Sequence, residues 1–430
     1  MTITNGPWRR QRRRAGEDRH LEADNAENAS AAPRQGMFSS FAIPSFRYQW
    51  SADVLSAWAA EMETIILAWY VLVETGSPFL VSLIAALRFG GTLVSPLVGV
   101  LADRMSRRTI LLALRGIYAV LAGSLMIGGV VGVLPLWYLF TVAALAGLIR
   151  PSEMILRQSL IADTVPRHLL VNAMGFSRTT LESARIVGAL LGAGLLASFG
   201  IGLAYAGVTA FYLVSIAVTR RIDVPPRTEP LVSGAPWPDL IAGFAYMRRT
   251  REIMVVMYLA FLANLTAFPV TQGLLPIVAK DVFGFDEIGL GRMVAITGAG
   301  ALAGSLAIAA LLRTSRPERM MFAGLITWHV LIIVFALVES PGAAFVLLAL
   351  IGVCIGGSMI PMSVVLMSHT EAAYRGRVMG VRMLAVYGLP IGLLASGAMI
   401  ESIGVAPTLL LLGVAGLGVV SMSALRWRPG

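Results

Sequence analysis

Lysine is almost missing from this chain of 430 residues: Lys280 stands alone, in PIVAKD, with no glycine-rich loop before it. A Walker A nucleotide site is therefore excluded, and with it an ATP-driven pump in one chain. A single cysteine, Cys354, permits neither an internal disulfide nor a zinc cluster of thiolates. Four histidines occur, none in an HExxH arrangement, and no nucleophile elbow is present. These gaps argue against an enzyme and give no reason to expect a metal or a cofactor. Charge is scarce too, at 13% of residues, about half of the ~25% usual in soluble domains. Apolar side chains fill the space: 57% of residues are hydrophobic and the mean hydropathy is +0.77. A soluble fold of this size could not hide that surface. The composition describes an integral membrane protein.

Residues 1–46 stand apart. The stretch WRRQRRRAGEDRHLEADNAENASAAPRQG is polar and reads as a disordered, basic cytosolic tail. No apolar stretch directly follows its arginine pairs, so it is not read as an export signal. The remainder allows about 32 residues for each of twelve spans, and a spanning helix needs ~20. Hydropathy places them near 49–73, 78–101, 108–130, 135–157, 170–198, 201–219, 252–278, 286–312, 320–338, 342–366, 376–400 and 405–425. The expected class is an all-α membrane protein of twelve transmembrane helices. Its parts are a six-helix bundle at 47–219, a cytosolic linker at 220–251 and a second bundle at 252–426. Within the linker, Trp237, Leu240, Ile241 and Phe244 share one helical face, which reads as a short interfacial helix.

Arginine placement orients the chain. Alternate loops on one side carry 18 arginines, against Lys280 alone in the 279–285 loop on the other. Under the positive-inside rule both termini are cytosolic. The net charge of +10 follows from that rule and is no sign of nucleic acid. An internal repeat supports the division. With an offset of 204–205 residues, Arg88 meets Arg292, Gly99 meets Gly304 and Arg108 meets Arg313. Met174-Gly175 meets Met379-Gly380, and Gly188, Gly192 and Gly200 meet Gly392, Gly397 and Gly404. Secondary transporters are built from such repeats, with the binding site between them near the bilayer midplane.

One loop adds a recognisable motif. GVLADRMSRRTILL, between the second and third spans, resembles the signature loop of the major facilitator superfamily in Gly99, Leu101, Ala102, Asp103, Arg104, Arg107 and Arg108, with Ser106 where glycine is usual. A carboxylate there can meet the amide-rich N-terminus of a helix, and span 11, opening at Arg375-Gly376-Arg377, would be the partner. The expected cytosolic gate is Gly99, Asp103, Arg104, Arg107, Arg108, Arg375 and Arg377; the plainer alternative is a topological anchor. Thr75-Gly76-Ser77, Pro166 with Asn172-Ala173, Gly243 to Arg249 and Tyr374 to Gly380 are similar to the bacterial branch with the enterobactin exporter and macrolide-efflux proteins. That resemblance implies a secondary transporter in the bacterial inner membrane. Span 5 carries Gly175, Ala184, Gly188, Ala189, Gly192 and Ala193. Small residues at this spacing serve close helix packing, and without a proline they do not by themselves mark an antiporter.

Charges inside spans cost ~2.5–3.5 kcal/mol or more unless paired or hydrated, so they mark candidate sites. Glu61, Glu63, Glu182 and Asp53 are the proton-coupling candidates. Glu61 and Glu63 lie 200° apart on a helix and are not expected to share one cavity, one of them pairing with a neighbouring arginine. Glu182, between Arg178 and Arg185, can be neutralised within its own helix. Asp53, near the cytosolic end, is expected to be hydrated. Arg88, Arg178, Arg185 and Arg292 are cavity candidates, with Trp58, which fits a belt or a cavity. Arg115 and Arg150 are further charges within spans, and His329 reads as a packed histidine. With the export that the resemblance implies, the expected protein is a monomeric transporter in the lipid bilayer that exports a small anionic or amphiphilic molecule in exchange for protons. Proton-coupled uptake and a transporter-like receptor or assembly factor are the alternatives.

Overall fold

In the computed structural model, residues 38–93, 106–224, 236–311, 316–371 and 374–427 are described, and among them only helices, turns and bends occur. Among the described residues, ten helices are long and apolar enough to cross a membrane. The signals that start and stop them are local. Pro44 occupies the first turn of α1 (Pro44–Thr75), and Gly76 ends it at φ +62, where glycine alone escapes a Cβ penalty. Ser77 caps α2 (Pro78–Leu87) by accepting from the Leu80 N–H at 3.2 Å. Ser106 does the same for Thr109 in α3 (Arg107–Val131). α4 (Leu136–Thr164) contains Pro151, which cannot donate to the Gly147 carbonyl and loosens the helix one turn above it.

α5 (Leu170–Ser183) passes through a π-helical turn at Ala184–Gly188 into α6 (Ala189–Thr219). The apolar run is broken at Gly200, with φ 71 and ψ 178. A linker helix, α7 (Pro236–Arg249), precedes α8 (Arg251–Thr266), and π-turns at Val270–Leu274 and Val278–Val282 prolong the span to Val282. Then come α9 (Glu287–Leu311), α10 (Pro317–Phe335), α11 (Pro341–Ser368), α12 (Arg375–Leu384), α13 (Gly388–Ile403) and α14 (Val405–Arg426). Gly404, between α13 and α14, has φ 86 and ψ 173. Gly200 and Gly404 were paired by the sequence repeat, and they adopt the same glycine-only conformation.

Three boundaries differ from the hydropathy reading. Residues 39–46 are folded rather than tail, a 3-10 turn at Ser39–Ala42 leading through extended Ile43 into α1: Phe46 is buried, Phe41 packs on Phe46, Trp50 and Phe176, and the Ser40 N–H donates to Asn172 Oδ1 at 3.2 Å. α4 runs on to Thr164, which moves Arg157 from a loop into a buried helical position. Lys280 lies in a π-turn, not a loop, and donates to the Leu72 carbonyl at 3.3 Å. Aromatic and cation-bearing side chains at span ends found helical partners that a hydropathy window does not register.

Candidate transport cavity

α1 is the central element, and glycines bring its neighbours close. A Cβ on Gly188 would lie 2.9 Å from Glu61 Cβ, and one on Gly192 2.8 Å from Met62 Cα. The small residues of span 5 therefore serve helix contact. Gly147 of α4 sits against the end of α2, where a Cβ would lie 2.1 Å from the Leu87 oxygen. This approach carries Arg88 and Arg150 toward α1.

The result is a small cavity of about 50 Å³ between the two parts of the chain. Glu61, Glu63, Thr64, Arg88 and Arg150 line it from one side; Thr271, Gln272, Pro276, Leu290 and Val294 line it from the other. Glu61 Oε2 is 3.7 Å from Arg88 Nη2. Glu63 is buried and faces Arg150, Arg88 and Tyr212. The expected pairing of one glutamate with a neighbouring arginine is present. The expected separation of the two is not, because both line one cavity. Seven of the nine residues from Ala60 to Ala68 reach it, so α1 stands out from the cavity wall and borders the cavity on both flanks. Two carboxylates and two guanidinium groups leave this polar wall without net charge.

A second cluster lies deeper in the same part of the chain. Asp53 is buried and accepts from Arg115 Nη2 and from Arg157 Nε, the latter at 3.1 Å. Arg115 also reaches Glu153 Oε1 at 3.5 Å and donates to Thr219 Oγ1. Ser56 donates to the same Glu153 oxygen at 3.0 Å, and Gln49 Nε2 donates to the Arg157 carbonyl at 2.8 Å. Asp53 is thus not a hydrated terminal carboxylate. The helix extends past it, and two arginines compensate its charge.

The other candidates lie elsewhere. Glu182 is buried between Arg178 at 3.2 Å and Arg185 at 3.9 Å on its own helical run. Trp58 donates to Ser183 Oγ at 3.3 Å and meets Phe211 edge-on, away from the cavity lining. Arg292 is exposed on α9. His329 is packed between the Thr266 hydroxyl at 2.9 Å and the Leu325 carbonyl at 2.8 Å. Gly99, Asp103 and Arg104 of the expected gate lie outside the described residues. Arg107 bridges Asp163 at 2.7 Å, Arg108 donates to the Ile222 carbonyl at 2.6 Å, and Arg375 Nε donates to the Thr370 carbonyl at 3.4 Å. Arg377 lies over the Tyr374 ring, which stacks on Tyr246 of α7 at 4.2 Å.

Sequence reasoning noted Arg150 and Arg115 as charges but did not make them site residues, and it missed Glu153, Tyr118 and Tyr212. The signal was present in Arg150-Pro151-x-Glu153-x3-Arg157, an alternation of charge around an interior proline that an isolated membrane helix would not carry.

At the end of the molecule poor in arginine, the two parts are joined by polar contacts. Glu401 of α13 accepts from the Ser77 hydroxyl and, at 3.2 Å, from the Phe79 N–H at the start of α2. Gly397 packs there as well, where a Cβ would lie 2.6 Å from Ser82 Oγ. An all-helical molecule with a partly charged cavity between its two parts is built as a membrane transporter.

Comparison with known proteins agrees. The family model of the Major Facilitator Superfamily matches residues 50–394, and the chain belongs to that superfamily. It is 27% identical over 400 residues to the multidrug efflux pump Tap of Mycobacterium tuberculosis, covering 87% of this chain and 92% of that one. It is 26% identical over 344 residues to the enterobactin exporter EntS of Shigella boydii, covering 79% and 80%. Among solved structures, the nucleoside transporter NupG matches with a TM-score of 0.71 at 15% identity, over 89% of this chain and all of that one. The E. coli fucose:proton symporter FucP matches with a TM-score of 0.58 at 15% identity, over 89% and 98%. These structures share the fold.

Proposed function

We propose that the protein exports a small amphiphilic organic molecule in exchange for protons, by alternating access between two six-helix halves. Twelve spans are counted when the run at 170–219 is divided at Gly200 and the helix starting at Pro78 is included. The matched backbone of Gly200 and Gly404 supports the repeat behind that count. An even number of spans and the arginine asymmetry support the reading that both termini are cytosolic, and the resemblance to bacterial efflux proteins supports a bacterial inner membrane.

The observation that carries the reading is the cavity. Its charged wall holds Glu61 and Glu63 beside Arg88 and Arg150, and its opposite wall is apolar apart from Thr271 and Gln272. Because two carboxylates stand against two arginines in its lining, the site carries no surplus positive charge for a simple anion; an amphiphilic cargo suits it better. A carboxylate that alternates between an arginine partner and a proton can couple transport to a pH gradient. The efflux activity named for two relatives supports the outward direction. The contacts of Glu401 and Lys280 hold the outer side closed. Asp103, in the loop between spans 2 and 3, would hold the cytosolic side in the alternate state by meeting the start of span 11.

The test is transport by the purified protein in liposomes, with a panel of amphiphilic drugs and siderophores under an imposed pH gradient. Gradient-driven movement of an amphiphile is expected. Movement indifferent to pH would remove proton coupling, and movement in the opposite direction under a physiological gradient would make the protein an importer.

A further inference from the structure

The start of α8 and the end of α14 meet on the arginine-rich side of the molecule. Arg251, the first residue of α8, donates from Nη2 to the carbonyl of Arg426, the last residue of α14, at 3.3 Å. Both arginines line a pocket of about 140 Å³, together with Glu252, Val255, Ser423 and Trp427. Among the described residues neither guanidinium group forms an ion pair. Trp427 Nε1 is buried and has no hydrogen-bond acceptor among them either. Two arginines against one carboxylate leave this pocket with one positive charge in surplus.

Val255 and Ser423 also line a second hollow, an apolar groove of about 480 Å³. It is far larger than the transport cavity of about 50 Å³. Phe244 and Met247 of α7, Met254, Tyr258 and Phe261 of α8 and Leu384 of α12 form its walls. Phe244, Met254, Tyr258 and Leu384 are exposed, so the groove presents an apolar face to whatever lies beside it. Methionine side chains adapt their shape to a flexible apolar guest. A charged pocket and an apolar groove that share two wall residues describe one elongated site with a cationic end.

We propose that this site binds one anionic phospholipid of the cytosolic leaflet, with its phosphodiester between Arg251 and Arg426 and one acyl chain along the groove. Charge selects the headgroup. A phosphodiester brings one negative charge and, with Glu252, balances the two arginines. A zwitterionic headgroup returns a positive charge and leaves the surplus in place. Guanidinium groups suit phosphate oxygens because they can donate to them in pairs, and basic pockets between spans on the cytosolic side hold acidic lipid headgroups. A second copy of the chain, docked face to face, would set the same arginines against each other. The acyl chain would touch Phe244 and Met247, so the lipid would join the linker helix to the second part of the chain. The leaflet follows from the orientation proposed above; the binding itself does not depend on it.

Native mass spectrometry of the full chain in detergent tests the site, with phosphatidylglycerol, phosphatidylethanolamine, phosphatidylcholine and soluble glycerol 3-phosphate as probes. One phosphatidylglycerol per chain should be held at least tenfold more tightly than either zwitterionic lipid, and glycerol 3-phosphate should not be held. Arg251→Gln combined with Arg426→Gln should abolish the preference. Arg220→Gln combined with Arg221→Gln, exposed on the same side but outside both hollows, should keep it. Glu252→Gln removes the carboxylate that competes with the phosphate and should strengthen phosphatidylglycerol retention severalfold, a gain that a damaged fold does not produce. Equal retention of the three lipids, or a preference unchanged in the Arg251 and Arg426 double variant, would overturn the proposal. So would glycerol 3-phosphate held as tightly as the lipid, which would leave a phosphate site alone, or a lipid-free dimer, which would give the groove to a second copy.

Discussion

The two parts of the molecule solve one packing problem with different chemistry. Between Pro44 and Thr219, α1 is tied by charge to α3, α4 and the end of α2: Asp53 to Arg115 and Arg157, Glu153 to Arg115, Glu61 to Arg88. Between Arg251 and Arg426, α9 and α11 meet along Gly300, Gly304, Gly352 and Gly356. There a Cβ would lie 2.1 to 2.6 Å from the facing backbone. Buried polar contacts in that second part are neutral or single, such as His329 with Thr266 and Arg382 with Ser363 at 2.7 Å. A glycine seam is cheap and rigid in lipid. A buried ion network is costly and costs most when half dismantled. Among the described residues it is present in one part only, which points to work done there, and the account assigns proton handling to that part and cargo contact to both.

The strongest way to break this contrast is Arg115→Met. It leaves Asp53 with one arginine and Glu153 with none, which should cost about 3–5 kcal/mol and appear as a large drop in melting temperature in detergent. A variant that melts like the wild type would mean that the network is held by something else. Gly200→Ala and Gly404→Ala sharpen the comparison in the other direction. Both positions combine positive φ with ψ near 180°, where an L side chain is strained by about 1–3 kcal/mol. The two losses should match. A large loss at one site alone would show that the repeat is not kept at its turns.

A smaller effect is expected where the two parts touch. Glu401→Gln weakens a carboxylate at a helix start, worth about 0.3–1 kcal/mol. In a Cys354→Ser background with a cysteine at Thr271, it should raise labelling by an impermeant thiol reagent from the outer side severalfold. Unchanged labelling would remove Glu401 from the outer closure.

Much of this could be read in advance. Helix starts at Pro44, Pro78, Pro317 and Pro341 are local signals, as are the stops at Gly76 and Gly132. The pairing of Arg178, Glu182 and Arg185 followed from helical spacing. What sequence could not supply was which helix faces which. Arg157 looked like a loop arginine because a hydropathy window ends a span at its first charge. Glu61 and Glu63 looked incompatible because helical angle ignores how far α1 protrudes into the cavity. Arg292 and Arg88 are partners in the repeat, yet only Arg88 reaches the cavity; equivalent positions diverge once charge is confined to one half.

The central claim, that coupling resides in the first half, is tested most directly by exchange of cargo without a gradient compared with accumulation under an imposed pH gradient. Both are read in liposomes for Glu61→Gln, Glu63→Gln and His329→Asn. The account predicts that at least one glutamate variant keeps exchange but loses the gradient response, and that His329→Asn keeps both. Retention of the gradient response in both glutamate variants, with its loss in His329→Asn, would contradict the account and place coupling in the second half.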